Sequence, residues 1–563
     1  MIARHVQSVT RYCLMSLVLL PAAAQAQKKK AANTMSFDTA DAVEHQPVAG
    51  KRKPPQSSGK QGPASKTLER ALKLYDAEDY PMSSIELNKV CEGQTGDDEA
   101  NRQRAEFFMG KTLFNMKYYS ASLSYFDRIV QKGPAHRYYS KTLQWLASLS
   151  RFLPDSQSTG VLEKIGKYTR ADLDQPALEP VRDELYYLLG RYYYSKAQFK
   201  EAIELFRGIP DSSQQYYAPA RFFEGVAWAR QNKGKEASDA FKEILRKVKS
   251  YVDEKKVPAR LKEFEQLANL SLGRIFYTNR QYAQSIKYYE RIPGPDARGG
   301  ASIDWLPSLF EASWAYFQLD NDSKALGNIH SINSPFFENE FYPESYILKA
   351  VIYFSRCNYD RSYEAVTEFN ALYPDLRKEI EDLLAKHPDN AEFFEYVSKI
   401  KEGKTDLVGR VQKAAEGALN DRTLVKNLEY VAALDRQLNQ LEKADPAWKS
   451  TAIAGAVLQD VTLQKSLAIN EAGNLARQRL KRLANEIQDL TKQAIKVEYE
   501  TLGAQKGVLS AGLATEQVLM NPNAKNFNRV QLDDEHQQWP FRGEYWRDEL
   551  GYYRFKVQNK CGR

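Results

Sequence analysis

One spacing recurs seven times between Ala71 and Val366, and it constrains what this chain can fold into more than any other feature. From Gly190, a small residue, aromatic residues follow at Tyr193 and Phe199, a second small residue at Ala202 and a large aromatic at Phe206. The same offsets return from Gly110 (Leu113, Tyr119, Ser122, Phe126, then Pro134) and from Gly273 (Phe276, Tyr282, Ser285, Tyr289). They return again from Gly225 (Trp228, Ala237, Phe241), Ala71 (Leu74, Tyr80, Ser83, Leu87) and Ala350 (Tyr353, Tyr359, Ser362, Val366, then Pro374). A looser copy starts at Ser313, with Tyr316, Ala325 and Ile329.

Such a spacing is what a pair of antiparallel helices requires. The first small residue lets the neighbouring helix approach, and the residue three positions on lies on the same helix face. The second small residue sits where the second helix crosses the first, and the bulky residue four positions later fills the space between hairpins. A closing proline ends the second helix. One hairpin cannot bury its apolar face alone, so the copies must stack.

The pattern resembles the tetratricopeptide repeat (TPR), a helix–turn–helix unit of about 34 residues with small, aromatic and proline positions at these offsets. The resemblance covers residues 67–375, with intervals of about 35 to 48 residues between most copies and a degenerate eighth unit around Trp145 and Ala147. It implies an all-α, TPR-like α-solenoid. It also implies that partner-binding side chains lie on the inner face of the first helix of each hairpin, at Tyr187, Arg191, Tyr194, Phe222, Arg274 and Tyr277. Tyr and Arg suit such a role, because they dominate the energetics of protein interfaces.

Beyond Pro374 the repeat fades but helical periodicity persists. Residues 376–400 and 405–443 read as amphipathic helices, the second lined by Leu424, Leu428, Val431, Leu434, Leu438 and Leu441. Asp445-Pro446 breaks the chain, and a long helix follows from about 449 to about 502. Within it Ala476, Leu480, Leu483, Ile487, Leu490, Ala494 and Val497 step alternately by four and three, the seam of a coiled coil. The preceding helix, folded back as an antiparallel hairpin across residues 376–510, is the expected partner of that seam, and a homodimer is the alternative. The tail, 511–563, is aromatic: seven of the seventeen residues from Trp539 to Phe555 are Trp, Phe or Tyr. Tyr545, Trp546, Leu550 and Tyr553 fit one side of a short helix. The segment reads either as a cap over the open end of the hairpin or as a docking segment in which Trp539, Tyr545 and Trp546 touch a partner.

The N-terminus has the layout of a cleaved secretory signal over 1–26: Arg4 and Arg11, an apolar run from Cys13, then Ala24-Gln25-Ala26. Residues 27–66 read as a basic disordered linker, with eight Lys/Arg against three Asp/Glu. Of the net charge of +8, only +1 is left for residues 67–563 once the signal and linker are set aside. A nearly neutral fold argues against nucleic acid, which wants a basic face on the folded part. The linker could contact anionic lipid or cell-wall polymer. After cleavage three cysteines are left, Cys91, Cys357 and Cys561, so at most one intramolecular pair can form.

Catalytic chemistry finds no foothold. Gly110-Lys111-Thr112 and Gly403-Lys404-Thr405 end like a phosphate-binding loop, but Ala105 and Ser398 stand where that loop needs glycine. The six histidines lack ligand spacing, and Asp533, Asp534, Glu535 and His536 read as a solvated acidic loop. No catalytic residue, cofactor or metal is assigned. The expectation is a periplasmic scaffold or adaptor that is not an enzyme, binds other envelope proteins and serves envelope assembly, division or surface motility. The alternatives are a coiled-coil dimer rod and a cell-wall glycan-binding or glycan-acting protein.

Overall fold

The computed structural model describes residues 62–251, 256–295, 302–337, 340–401, 404, 409–419, 422–514 and 543–561. The signal, nearly all of the linker and Trp539 lie outside these residues, as does the Asp533–His536 cluster. Among the described residues there are 22 α-helices and no strand. The chain divides into two compact units, one of residues 1–232 with 426–471, the other of 233–425 with 472–563.

The first unit begins with α1 (Lys66–Asp76), α2 (Tyr80–Cys91), α3 (Glu99–Asn115) and α4 (Tyr119–Lys132). An irregular unit follows, made of α5 (Tyr139–Leu149), α6 (Val161–Ile165) and α7 (Arg170–Leu173), in the place expected for the degenerate eighth repeat. Next come α8 (Arg182–Ser195), α9 (Phe199–Arg207) and α10 (Tyr217–Arg230). The second unit continues with α11 (Gly234–Lys249), α12 (Ala259–Thr278), α13 (Tyr282–Tyr289), α14 (Trp305–Gln318), α15 (Asp322–Ile332), α16 (Glu344–Ser355) and α17 (Tyr359–Lys386).

The repeat spacing translates directly into packing. In all seven copies the residue twelve positions after the first small one has no exposed surface. Where that residue is serine it adds an interhelix hydrogen bond: Ser83 Oγ donates to Ala71 O at 2.9 Å, Ser122 to Gly110 O at 2.8 Å, Ser285 to Gly273 O at 2.7 Å and Ser362 to Ala350 O at 3.0 Å. The bulky residue at offset sixteen rests on the first glycine. A Cβ on Gly110 would stand 2.8 Å from the Phe126 ring, and one on Gly190 would stand 2.6 Å from Phe206.

Each hairpin turns through one left-handed residue, always seven positions after the first small residue. These are Glu78, Lys117, Ala197, Asn232, Arg280, Asp320 and Cys357, with φ between 55° and 66°. Their N–H groups donate to the carbonyl three residues back, as from Ala197 to Tyr194 at 3.0 Å. The next residue donates five back, as from Gln198 to Tyr193 at 2.9 Å. This is a Schellman termination, normally a glycine position. A Cβ in this region costs roughly 1–2 kcal/mol. Ala197 is exposed, so Ala197→Gly is expected to stabilise the protein by up to about 1 kcal/mol, net of the greater freedom glycine gives the unfolded chain. Chemical denaturation of the two proteins side by side measures this.

The expected stop at Pro374 does not occur. Helix α17 runs through it to Lys386. Tyr373 packs on Phe369 and Tyr346, and Leu376, Ile380 and Leu383 extend the buried face beyond the proline. Burial of three such side chains, at about 1.5–3 kcal/mol each, outweighs the ~3 kcal/mol of an interior proline. Next come α18 (Asn390–Lys401), α19 (Gly409–Leu419) and α20 (Arg422–Glu442), then α21 (Pro446–Lys449), capped by Asp445, and α22 (Ala452–Ala514).

The long helix is thus found, but its seam has a different neighbour from the one expected. Arg477 donates to Leu384 O at 3.3 Å and to His387 O, Thr501 Oγ1 lies 3.1 Å from Ser362 Oγ, and Gln505 donates to Asp360 at 2.9 Å. Residue numbers rise on α22 as they fall on α17, so the two helices are antiparallel. Ala476, Leu480, Ile487, Leu490 and Ala494 are buried, with Leu483 and Val497 half-buried. The preceding helix, α20, touches α22 earlier, through Asp435 and Lys465 at 2.5 Å. A heptad pattern specifies a buried stripe but not the helix that buries it, and α17 is the helix that lies along it here.

Candidate protein-interaction surfaces

Four of the six side chains expected to face a partner within the solenoid come together in the first unit. Tyr187, Tyr194 and Phe222 are buried. The Tyr187 ring meets Phe206, Tyr216 and Phe223, and Tyr194 meets Phe199 and Phe223 edge-on. The Arg191 guanidinium lies 4.4 Å over Phe223 and 3.0 Å from the Asp155 carboxylate. These residues knit α8 to α10. They bind consecutive repeats to each other.

Arg274 plays the same part in the second unit. Arg274 grips Glu311 of the next repeat with Nε at 2.9 Å and a terminal nitrogen at 2.6 Å, and Tyr289 donates its hydroxyl to Glu311 at 2.9 Å. Burial, followed by the Glu311 charge, lifts the Tyr289 phenol well above its ordinary pKa. Tyr277 is buried against Tyr282.

Surfaces that hold polypeptide lie elsewhere. In the first unit, Trp448 of α21 is buried, donates Nε1 to Ser84 Oγ at 2.9 Å and lies parallel to Tyr118. Ser124 donates to Asp460 of α22 at 2.6 Å, and Glu471 accepts from the N–H groups of Gln157 and Ser158 at 3.0 and 2.8 Å.

The second unit holds an extended strap, residues 543–561. Only Arg547–Glu549 form a 3-10 turn, so the expected short helix is absent: a glycine at 551 with φ 83° interrupts it. Leu550 and Tyr553 are buried, while Trp546 is 53% and Tyr552 73% exposed. Tyr545 stacks on His330 at 4.1 Å, and Tyr553 and Phe555 meet the same imidazole edge-on at 4.8 and 5.1 Å. Backbone contacts do most of the holding. Gly551 N–H donates to Ser331 Oγ at 2.8 Å, Lys324 Nζ to Gly551 O, Phe555 N–H to Ser323 O at 3.0 Å, and Asn358 to Gln558 O at 2.6 Å. Cys357 and Cys561 form a disulfide that ends the strap, and Cys91 stays a thiol whose pKa burial pushes up to about 12. The strap therefore covers α15 and the turn that follows α16, where a cap over the hairpin end was expected.

None of Ser84, Ser124, His330 or Ser331 stood out in the sequence. Gly327 carried the one usable signal. It is an interior helix glycine that the repeat does not need, and a Cβ there would collide with the Tyr553 carbonyl.

The pKa of His330 is depressed from 6.5, because burial among these rings penalises the imidazolium; Lys349 adds to the shift, while the Glu544 carbonyl and carboxylate oppose it. A group depressed in this way holds its site best when neutral. Its contribution is therefore whole above about 6.5 and is lost as pH falls through the lower folded value. Hydrogen exchange at Gly551 and Phe555 is expected to speed up between pH 7 and 5 beyond the intrinsic pH effect, and His330→Phe is expected to flatten the response.

Among the described residues no group of three or more His, Cys, Asp or Glu is placed to hold a metal ion, and no helix is long and apolar enough to cross a membrane. No protein-family profile matches the chain, and no curated protein matches it. Similar solved structures include a tetratricopeptide repeat protein from Parabacteroides merdae, 12% identical, with 48% of this chain and 93% of that one covered and a TM-score of 0.29. The Cut9–Hcn1 hetero-tetramer of the APC/C is 12% identical over 79% of this chain and 94% of its own, with a TM-score of 0.20. Yeast Tom70 is 12% identical over 71% and 96%, with a TM-score of 0.17. Scores this low do not superpose whole chains. The TPR-like assignment stands on the seven hairpins, their buried small residues and their left-handed turns.

Proposed function

We propose that this chain is a protein-interaction scaffold of a bacterial cell envelope, exported to the periplasm, with envelope proteins as partners. The observation that carries the interaction reading is the strap: the solenoid of the second unit holds an extended polypeptide by its backbone and clamps its aromatic side chains. The envelope assignment rests on the signal-like N-terminus and on the basic linker, suited to anionic lipid or wall polymer. A coiled-coil dimer rod is less favoured, because α17 of the same chain already lies along the seam such a dimer would use.

A surface for a partner is available on α22. Ile495, Tyr499 and Leu502, spaced by four and three, are 58%, 80% and 46% exposed. The test is crosslinking in intact envelopes with the tagged protein, beside a variant carrying Ile495→Asp, Tyr499→Asp and Leu502→Asp. Recovery of one envelope protein by the first bait and its loss with the second is the expected result. Recovery of only self-crosslinks or glycan fragments by the first bait overturns the reading.

A further inference from the structure

Most of what holds the strap is blind to its sequence. Ser323 O, Lys324, Ser331 and Asn358 bond to main-chain atoms, and Gly327 clears the space in which the Tyr553 carbonyl lies. Side-chain recognition comes from the rings on His330, from buried Leu550, from Lys324 over the Tyr552 ring at 5.7 Å and from Arg547 over the Phe336 ring at 6.0 Å. At Gly551 the chain turns with positive φ beside Trp305, where a Cβ would approach the indole to 3.0 Å. A site of this kind accepts any extended segment that offers an aromatic, a leucine and a glycine at those places, as backbone-directed peptide sites do.

The latch lies at the end of the strap. Cys561 is exposed and Cys357 half-buried, so the bridge is open to thiol exchange. Cys357 is also the left-handed turn residue of the last repeat, and its neighbours hold the strap: Arg356 O accepts from Lys560 N–H at 2.9 Å, and Asn358 binds Gln558 O. While the bridge is intact, the end of the strap stays fastened beside Asn358, which favours the strap over any other segment.

We infer that the face of α15 and the turn after α16 beneath the strap is a binding site for an extended aromatic–Leu–Gly segment of a partner protein, occupied by the chain's own C-terminus until the Cys357–Cys561 bridge is reduced. The reductant is a dithiol. One of its thiolates attacks a sulfur of the bridge, its second sulfur displaces the mixed disulfide, and the electron pair leaves Cys357 and Cys561 as two thiols while the dithiol becomes a disulfide. The strap then competes as a tethered ligand, displaced once a partner segment exceeds its effective concentration.

This inference rests on the protein-interaction reading but is tested apart from the α22 surface. The probe is a fluorescein-labelled peptide of residues 543–561 carrying Cys561→Ser, titrated into the full-length protein and followed by anisotropy. The oxidised protein is expected to bind it at least tenfold more weakly than the dithiol-reduced protein or the full-length Cys561→Ser variant. Exchange at Gly551, Phe555 and Lys560 is expected to rise on reduction. Gly327→Leu added to Cys561→Ser fills the site from the strap side only and is expected to abolish binding, with helical content retained. Equal binding to oxidised and reduced protein, no binding to either reduced form, or binding that survives Gly327→Leu would each overturn the inference. The envelope crosslink on α22 stands or falls independently.

Discussion

Glu311→Ala is expected to destabilise the second unit by about 3–5 kcal/mol, the cost of leaving a buried charge without its partner. Arg274 is only 17% exposed and loses its bidentate acceptor, and the Tyr289 hydroxyl loses its acceptor in the same step. The double variant Arg274→Met, Glu311→Leu removes both charges and fills the space. It is expected to recover most of the loss, since well-packed apolar residues commonly replace buried ion pairs at little cost. Denaturant unfolding of the three proteins, with exchange read at α12 and α14, checks both statements. A Glu311→Ala protein as stable as the parent would mean that water reaches Arg274 freely.

Gly190→Val is expected to cost about 3 kcal/mol, at the upper end for forcing bulk into a packed core. Phe206 has no exposed surface and is boxed in by Tyr187 and Phe223, so it cannot swing away from a new side chain. Gly455→Ala on α22 is the opposite case. No atom lies within 4 Å of its missing Cβ, and replacing a helix-interior glycine by alanine is expected to stabilise by roughly 0.5–1 kcal/mol. Thermal and denaturant melts of the pair separate a glycine needed for contact from one that is merely tolerated.

The hairpins were legible because every requirement acts within one repeat: Gly190 needs Phe206, and Gly273 needs Ser285, over at most sixteen residues. The left-handed turns escaped notice because the geometry falls on seven different residue types, none of them glycine. Hairpin packing sets the conformation there, and side-chain preference does not. The role of Arg274 was hidden for a related reason. Its partner, Glu311, lies 37 residues on in the next repeat, and nothing near Arg274 marks it as paired. The neighbour of the α22 seam is reached only across long separations, as between Gln505 and Asp360, 145 positions apart, and the strap is held by contacts across 200 positions or more. Periodicity reports that a face is covered, and the identity of the cover depends on competition among distant faces.

The bridge between Cys357 and Cys561 also sets a mechanical route. It spans 204 residues, so a pull applied at residue 561 enters the backbone at the turn between α16 and α17 and bypasses everything in between. Helices α17 to α22 then lie within a covalent loop that is outside the direct covalent path of the load. Under load, the covalent path in the oxidised protein runs through its repeats and leaves out its longest helix. Cutting the bridge would send the same force through α22.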